Sequence, residues 1–136
     1  MPERVTQEML YWFANPNRQN ILVLHCNHAN ELDQSVAESI ARLKKMDVTV
    51  LNQTVLLKGI NDDVETQVRL NEALFAHGIM PYYLHLLDKV QGAAHFDVSL
   101  EKARLIYRGM QEKLPGFLVP KLVREVPGAL NKVLQI

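Results

Sequence analysis

The segment His25-Cys26-Asn27-His28-Ala29-Asn30-Glu31 concentrates the chain's potential chemistry. It follows the apolar run Ile21–Leu24 directly, where a parallel sheet delivers functional loops at its carboxyl end. Imidazole and carboxylate donors suit zinc or iron, so His25, His28 and Glu31 are candidate ligands. Their spacing is not a helix-face pair, however, and no fourth ligand stands nearby. A polar loop that closes a turn or touches an organic ligand fits the same residues better, and no metal site is expected. A second candidate is Asn52-Gln53-Thr54, which interrupts the run Val48–Leu57. Polar side chains in an otherwise apolar strand mark either a barrel lumen or ligand, or else a β-bulge or an edge. The third is Tyr82-Tyr83-Leu84-His85 with Asp88, an acid suited to a cationic group or simply to water. Lys132, near the end, is either solvated or a lysine in a partly apolar pocket, the kind that forms Schiff bases. Lys58-Gly59-Ile60-Asn61-Asp62 lacks the phosphate-loop pattern and reads as a turn with a helix cap.

These residues need elements to hold them. β-branched runs at Ile21–Leu24, Val48–Leu57 and Met80–Leu87, and a weaker one at Phe117–Val123, recur about every thirty residues, the rhythm of βα units. This predicts an α/β fold with a parallel sheet. Val36, Ile40 and Leu43 share one helix face, with Asn30 or Asp33 as cap. Asp62 with Glu65 forms a capping-box pattern, followed by Val64, Val68 and Phe75 on one face and Gly78 at the helix end. Ser99 caps a third helix with the stripe Ala103, Ile106, Met110 and Leu114, closed by Pro115-Gly116. A short opening helix is predicted over 6–13, stopped by Asn15-Pro16-Asn17. Gly92-Ala93-Ala94-His95-Phe96 lets the backbone approach another group closely.

The chain's 136 residues make one ordinary domain, too few for a complete (β/α)8 barrel of roughly 250. Apolar residues at 48% support a core, so general disorder is not expected. Fifteen basic residues balance fifteen acidic ones, which gives nucleic acid or an anionic membrane no electrostatic handle. One cysteine rules out an internal disulfide and an all-cysteine metal site. With no signal-like segment, a cytoplasmic protein is expected.

Four ordered motifs carry a resemblance: His25 through Glu31, Asn52 through Asp62, Pro81-Tyr82-Tyr83-Leu84-His85, and Gly92 through Phe96. Together they resemble the C-terminal half of the lysine 2,3-aminomutase family of radical S-adenosylmethionine enzymes, over nearly the whole chain. The run Tyr82–Phe96 and the later Val119–Glu125 are most similar to the branch that makes (R)-β-lysine for elongation factor P. That branch lacks the C-terminal zinc-binding cysteines of the clostridial type, and Asp63 stands here where the clostridial type has one.

The resemblance implies the C-terminal part of a partial, TIM-like (β/α) barrel. It implies an isomerase that uses S-adenosylmethionine, a [4Fe–4S] cluster and pyridoxal phosphate to move the nitrogen of L-lysine from C2 to C3. Lys132 falls at the family's pyridoxal-phosphate lysine, which makes 117–136 the cofactor-lysine segment. Asp88 and Glu125 match two acids that hold the substrate's side-chain ammonium. His25 and Gln53 match residues near S-adenosylmethionine, and His85 replaces a tyrosine near the adenosyl group. The cluster motif C-x-x-x-C-x-x-C is absent. The expected partners are therefore L-lysine and an N-terminal half or complementary chain, with self-association through exposed strand edges. Competing expectations are an inactive remnant or binding module, and an aminomutase for another amino acid.

Overall fold

The computed structural model describes residues 19–87, 94–124 and 133–135. The opening helix expected over 6–13 and its stop at 15–17 lie outside these.

Five strands form one sheet in sequence order: β1 (Ile21–Leu24), β2 (Thr49–Leu56), β3 (Ile79–Leu86), β4 (Lys121–Arg124) and β5 (Val133–Leu134). The first four run parallel, and β5 returns antiparallel beside β4. Helices α1 (Gln34–Lys45), α2 (Val64–Ala76) and α3 (Leu100–Lys113) fill the crossovers. The βα rhythm thus appears as predicted. The weak run at 117–123 resolves into a 3-10 turn at Gly116–Leu118 and then β4. Pro120, which has no N–H for a ladder, marks where β4 starts.

All three helices cover the same face. Val36, Ile40 and Leu43 of α1 pack with Leu70 and Leu74 of α2 on Leu24, Val50 and Ile79. Ala103, Ile106, Met110 and the following Leu114 pack on Leu56, Leu84 and Leu122. On β2, burial alternates strictly, with 50, 52, 54 and 56 buried and the odd positions only partly so. Among the described residues no helix packs on the second face, which carries Val23, Leu51, Gln53, Val55, Tyr83 and His85. Nor is any helix of the described residues long and apolar enough to cross a membrane.

The helix starts follow side-chain caps, with one shift. Asp33 accepts from Val36 N at 2.9 Å and Ser99 from Lys102 N at 3.2 Å. The cap of α2 is Asp63, not Asp62: its Oδ1 accepts from Thr66 N at 2.8 Å. Asp62 is committed elsewhere, accepting from Gly59 N at 3.0 Å and pairing with Lys102 Nζ at 2.7 Å. The Lys102 ammonium holds the Asp62 carboxyl below its ordinary range. The stripe expected through Phe75 also differs. Phe75 is 48% exposed and meets Phe117 edge-to-face at 5.4 Å, while α2 buries Gln67, Leu70, Asn71 and Leu74. Two buried amides disguise the true face from an apolar count. After α2, Gly78 takes φ +76°, the left-handed turn that ends the helix.

Gly109 sets how closely α3 approaches α2. A Cβ there would lie 2.6 Å from Val64 Cγ2. The stiff, β-branched Val64 cannot rotate away without leaving its helix rotamer. Gly109→Ala is therefore expected to destabilise the fold by about 1–2 kcal/mol despite alanine's better helix propensity. A urea unfolding curve unchanged or shifted upward overturns this.

Candidate functional site

The site is built at the carboxyl end of the sheet, where β1 stops short. Leu24 pairs with Asn52, and beyond it the β1 backbone has no ladder of its own. Side chains of β2 continue the attachment. Asn52 Oδ1 accepts from Cys26 N at 2.8 Å, and Asn52 Nδ2 donates to Cys26 O at 3.0 Å. Thr54 Oγ1 donates to the same carbonyl at 3.0 Å. One residue on, Val55 N donates to Asn27 Oδ1 at 2.9 Å. A side-chain amide here does the work of a neighbouring backbone.

A second tier locks the next loop. Asn61, fully buried, accepts from Leu57 N at 2.8 Å and donates to Asn27 O at 2.8 Å and Val55 O at 2.9 Å. Gln67 Nε2 donates to Asn61 O at 2.9 Å, and Asn71 Nδ2 to Gln67 O at 2.9 Å. Lys58 N donates to Phe96 O at 2.9 Å, tying in the loop before α3. The loops after β1, β2 and β3 thus form one hydrogen-bonded rim.

This separates the three polar residues of β2. Asn52 and Thr54 are buried and face the helices, contrary to a lumen role; they are structural clamps. Gln53 alone of the three lies on the open face. The irregularity considered for this strand is also real: the β2–β3 register slips between Asn52 and Gln53, leaving Tyr82 as the extra residue of β3. The strand is not an edge, since β1 and β3 flank it.

His25 is exposed just past β1. Continuing the Leu24–Asn52 register sets it level with Gln53. Gln53 in turn pairs with Tyr83, and His85 stands two residues further along β3, between Val55 and Val123. The rings of Tyr83 and His85 meet edge-to-face at 5.6 Å, and those of Tyr82 and Tyr83 lie 3.9 Å apart. The Tyr82 side chain raises the Tyr83 phenol above its ordinary pKa. The registers place Gln53, Tyr83 and His85 on one face, and His25 follows the end of β1 at the same end of the sheet. They add Tyr83, which sequence reading grouped only as part of an aromatic cluster. The period-2 pattern of β3 carries the signal for it. Asp88, Glu125 and Lys132 lie outside the described residues.

The loop after β1 spends its donors on itself. Glu31 Oε2 accepts from Asn27 N at 2.6 Å and His28 N at 2.8 Å, and His28 Nδ1 accepts from Asn30 N at 3.1 Å. This reciprocal capping box employs two of the candidate metal ligands. No group of three or more His, Cys, Asp or Glu that could hold a metal occurs among the described residues. Cys26 is buried, its Sγ donating to His28 O at 3.2 Å. Burial, reinforced by the Glu31 charge, pushes its thiol up to about 11.

Comparison with known proteins bears on this arrangement directly. The chain is 49% identical over 132 residues to L-lysine 2,3-aminomutase of Escherichia coli, covering 97% of this chain. It is likewise 49% identical over 134 residues to the Haemophilus influenzae L-lysine 2,3-aminomutase. The chain is homologous to the C-terminal part of lysine 2,3-aminomutases. The Clostridium subterminale L-lysine 2,3-aminomutase, at 30% identity over 132 residues, is a more distant relative. The chain spans about two fifths of the curated relatives it matches, 39% of the Escherichia coli protein and 40% of the Haemophilus one. No protein-family model matches it.

A solved radical SAM methyltransferase from Sphaerobacter thermophilus superposes with TM-score 0.59 over 91% of this chain and 38% of that one, at 15% identity. The shared architecture is a partial barrel: parallel strands with helices on the outer face and an open inner one. The three-cysteine cluster of the resemblance does not fit this chain's own donors. Its sole cysteine is buried beneath the rim with a protonated thiol.

Proposed function

We propose that this chain is the substrate- and pyridoxal-phosphate-binding part of a cytoplasmic enzyme converting L-lysine to (R)-β-lysine for modification of elongation factor P. The observation that carries the reading is 49% identity to the Escherichia coli L-lysine 2,3-aminomutase across 97% of the chain. Bound S-adenosylmethionine and pyridoxal phosphate supply the radical chemistry; the protein's part is position and electrostatics.

On this reading, His25 and Gln53 hold the adenosyl ligand on the open face, with His85 one layer further along β3. Lys132, in the segment 117–136, carries the pyridoxal phosphate. Asp88 and Glu125 place two carboxylates on the substrate's side-chain ammonium, since a cation taken out of water needs paired charge. The rim of Asn52, Asn61 and Asn27 supports the ligand-facing residues from below, holding their backbone within the tolerance that productive geometry demands. A [4Fe–4S] cluster would be held by an N-terminal half or a complementary chain, outside these 136 residues.

The test is cofactor trapping. The chain is mixed with pyridoxal phosphate, reduced with borohydride and mapped by peptide. Labelling concentrated on Lys132, and lost in Lys132→Gln, is the expected result. Label scattered over surface lysines overturns the reading in favour of an inert module.

A further inference from the structure

A polar band crosses the open face at one height. The register pairs Gln53 with Tyr83 and Tyr83 with Lys121, and His25 follows directly after the end of β1. Aliphatic side chains border it: Val23 and Leu51 on one side, Val55 and Val123 on the other. Every residue in the band can donate a hydrogen bond. None of the five strands carries Asp or Glu, so no carboxylate of the sheet competes for these donors. Lys121 is exposed, and the described residues offer its ammonium neither an ion pair nor a hydrogen bond. Elsewhere on the molecule, Lys102 does have such a partner in Asp62.

We propose that Lys121 is the anion-holding residue of this face, taking an oxyanion, carboxylate or phosphate, of a small ligand whose planar ring lies along Tyr83. The inference deepens the functional reading and rests on it for the ligand's identity, though not for the anion site itself. A lysine reaches a single oxyanion as a point charge without needing a bidentate fit. Tyr83 beside it offers a ring.

Matched probe pairs test this by titration calorimetry on the whole chain: S-adenosylhomocysteine against 5′-deoxyadenosine, and pyridoxal phosphate against pyridoxal. S-adenosylhomocysteine adds an amino-acid arm with a carboxylate to 5′-deoxyadenosine, and pyridoxal phosphate adds a phosphate to pyridoxal. Lys121→Gln is expected to weaken the anionic member of one pair at least about fivefold and leave its uncharged member unchanged. Lys121→Arg is expected to restore most of the loss, and added salt to weaken wild-type binding. The pair that responds identifies carboxylate or phosphate as the group held. Binding of inorganic phosphate that is lost in Lys121→Gln, without binding of either pair, keeps the anion site and removes the cofactor reading. Equal binding of both S-adenosylhomocysteine and pyridoxal phosphate by wild type and Lys121→Gln keeps the cofactor reading and overturns the inference. Wild type that binds none of the anionic probes overturns it as well.

Discussion

Asn61→Ala is expected to destabilise the protein by about 3 kcal/mol, lowering its melting temperature by roughly 10 °C. The side chain is fully buried and serves three backbone groups on two loops. Alanine removes one acceptor and two donated bonds at once. Each buried group left unmatched costs about 1–3 kcal/mol, less where water can enter. Against a typical total of about 5–15 kcal/mol, that is a large fraction. Asn61→Asp is expected to be worse still. It keeps the acceptor for Leu57 N but turns the donor into an oxygen facing the carbonyls of Asn27 and Val55. It also places a charge where water is excluded. Urea unfolding of both variants checks the order and the size. A loss below about 1 kcal/mol for alanine shows that the rim does not hold the loops as described.

Given lysine, S-adenosylmethionine, pyridoxal phosphate and a strong reductant, the chain alone is expected to form no β-lysine. The single cysteine is the reason. Its thiol is buried, raised to about 11 and donating to a backbone carbonyl. It neither reaches the open face nor ionises readily, and one thiolate does not hold a cluster that takes three or four. Adding a polypeptide that carries C-x-x-x-C-x-x-C and the rest of the relatives' length is expected to bring turnover from none to measurable. β-Lysine formed by this chain unaided sinks the division of labour proposed here.

Much of the fold was legible in the sequence because each element agrees with itself locally. The run Ile21–Leu24 is a strand as bounded, and Ser99 caps the helix whose stripe Ala103, Ile106 and Met110 is buried. What was not legible is where polar residues serve structure. Asn52 and Thr54 read equally as lumen residues or as a bulge or an edge, because a side chain facing helices is expected to be apolar. They are polar because β1 ends early and its backbone needs partners across 26 and 28 residues of sequence. Gln67 and Asn71 hid the buried face of α2 for the same reason. The proposed site was legible only as separate residues. His25 and Gln53 were singled out by the family resemblance. Tyr83 and Lys121 join them only through registers between distant strands, including the extra residue at Tyr82 that no local pattern announces.

The alternation along β2 divides two kinds of constraint between neighbouring positions. Residues 52 and 54 answer to folding, and residues 53 and 55 answer to whatever occupies the open face. A one-residue slip would exchange the two sets entirely, so the clamp that holds β1 also guards the frame in which the other face is read. Within that frame the two faces are free to evolve separately. If the open face holds the ligand as proposed, its preference can drift through 53, 83, 85 and 121 while the rim beneath stays intact. A scaffold arranged this way explores new specificities without spending its margin of stability on each step.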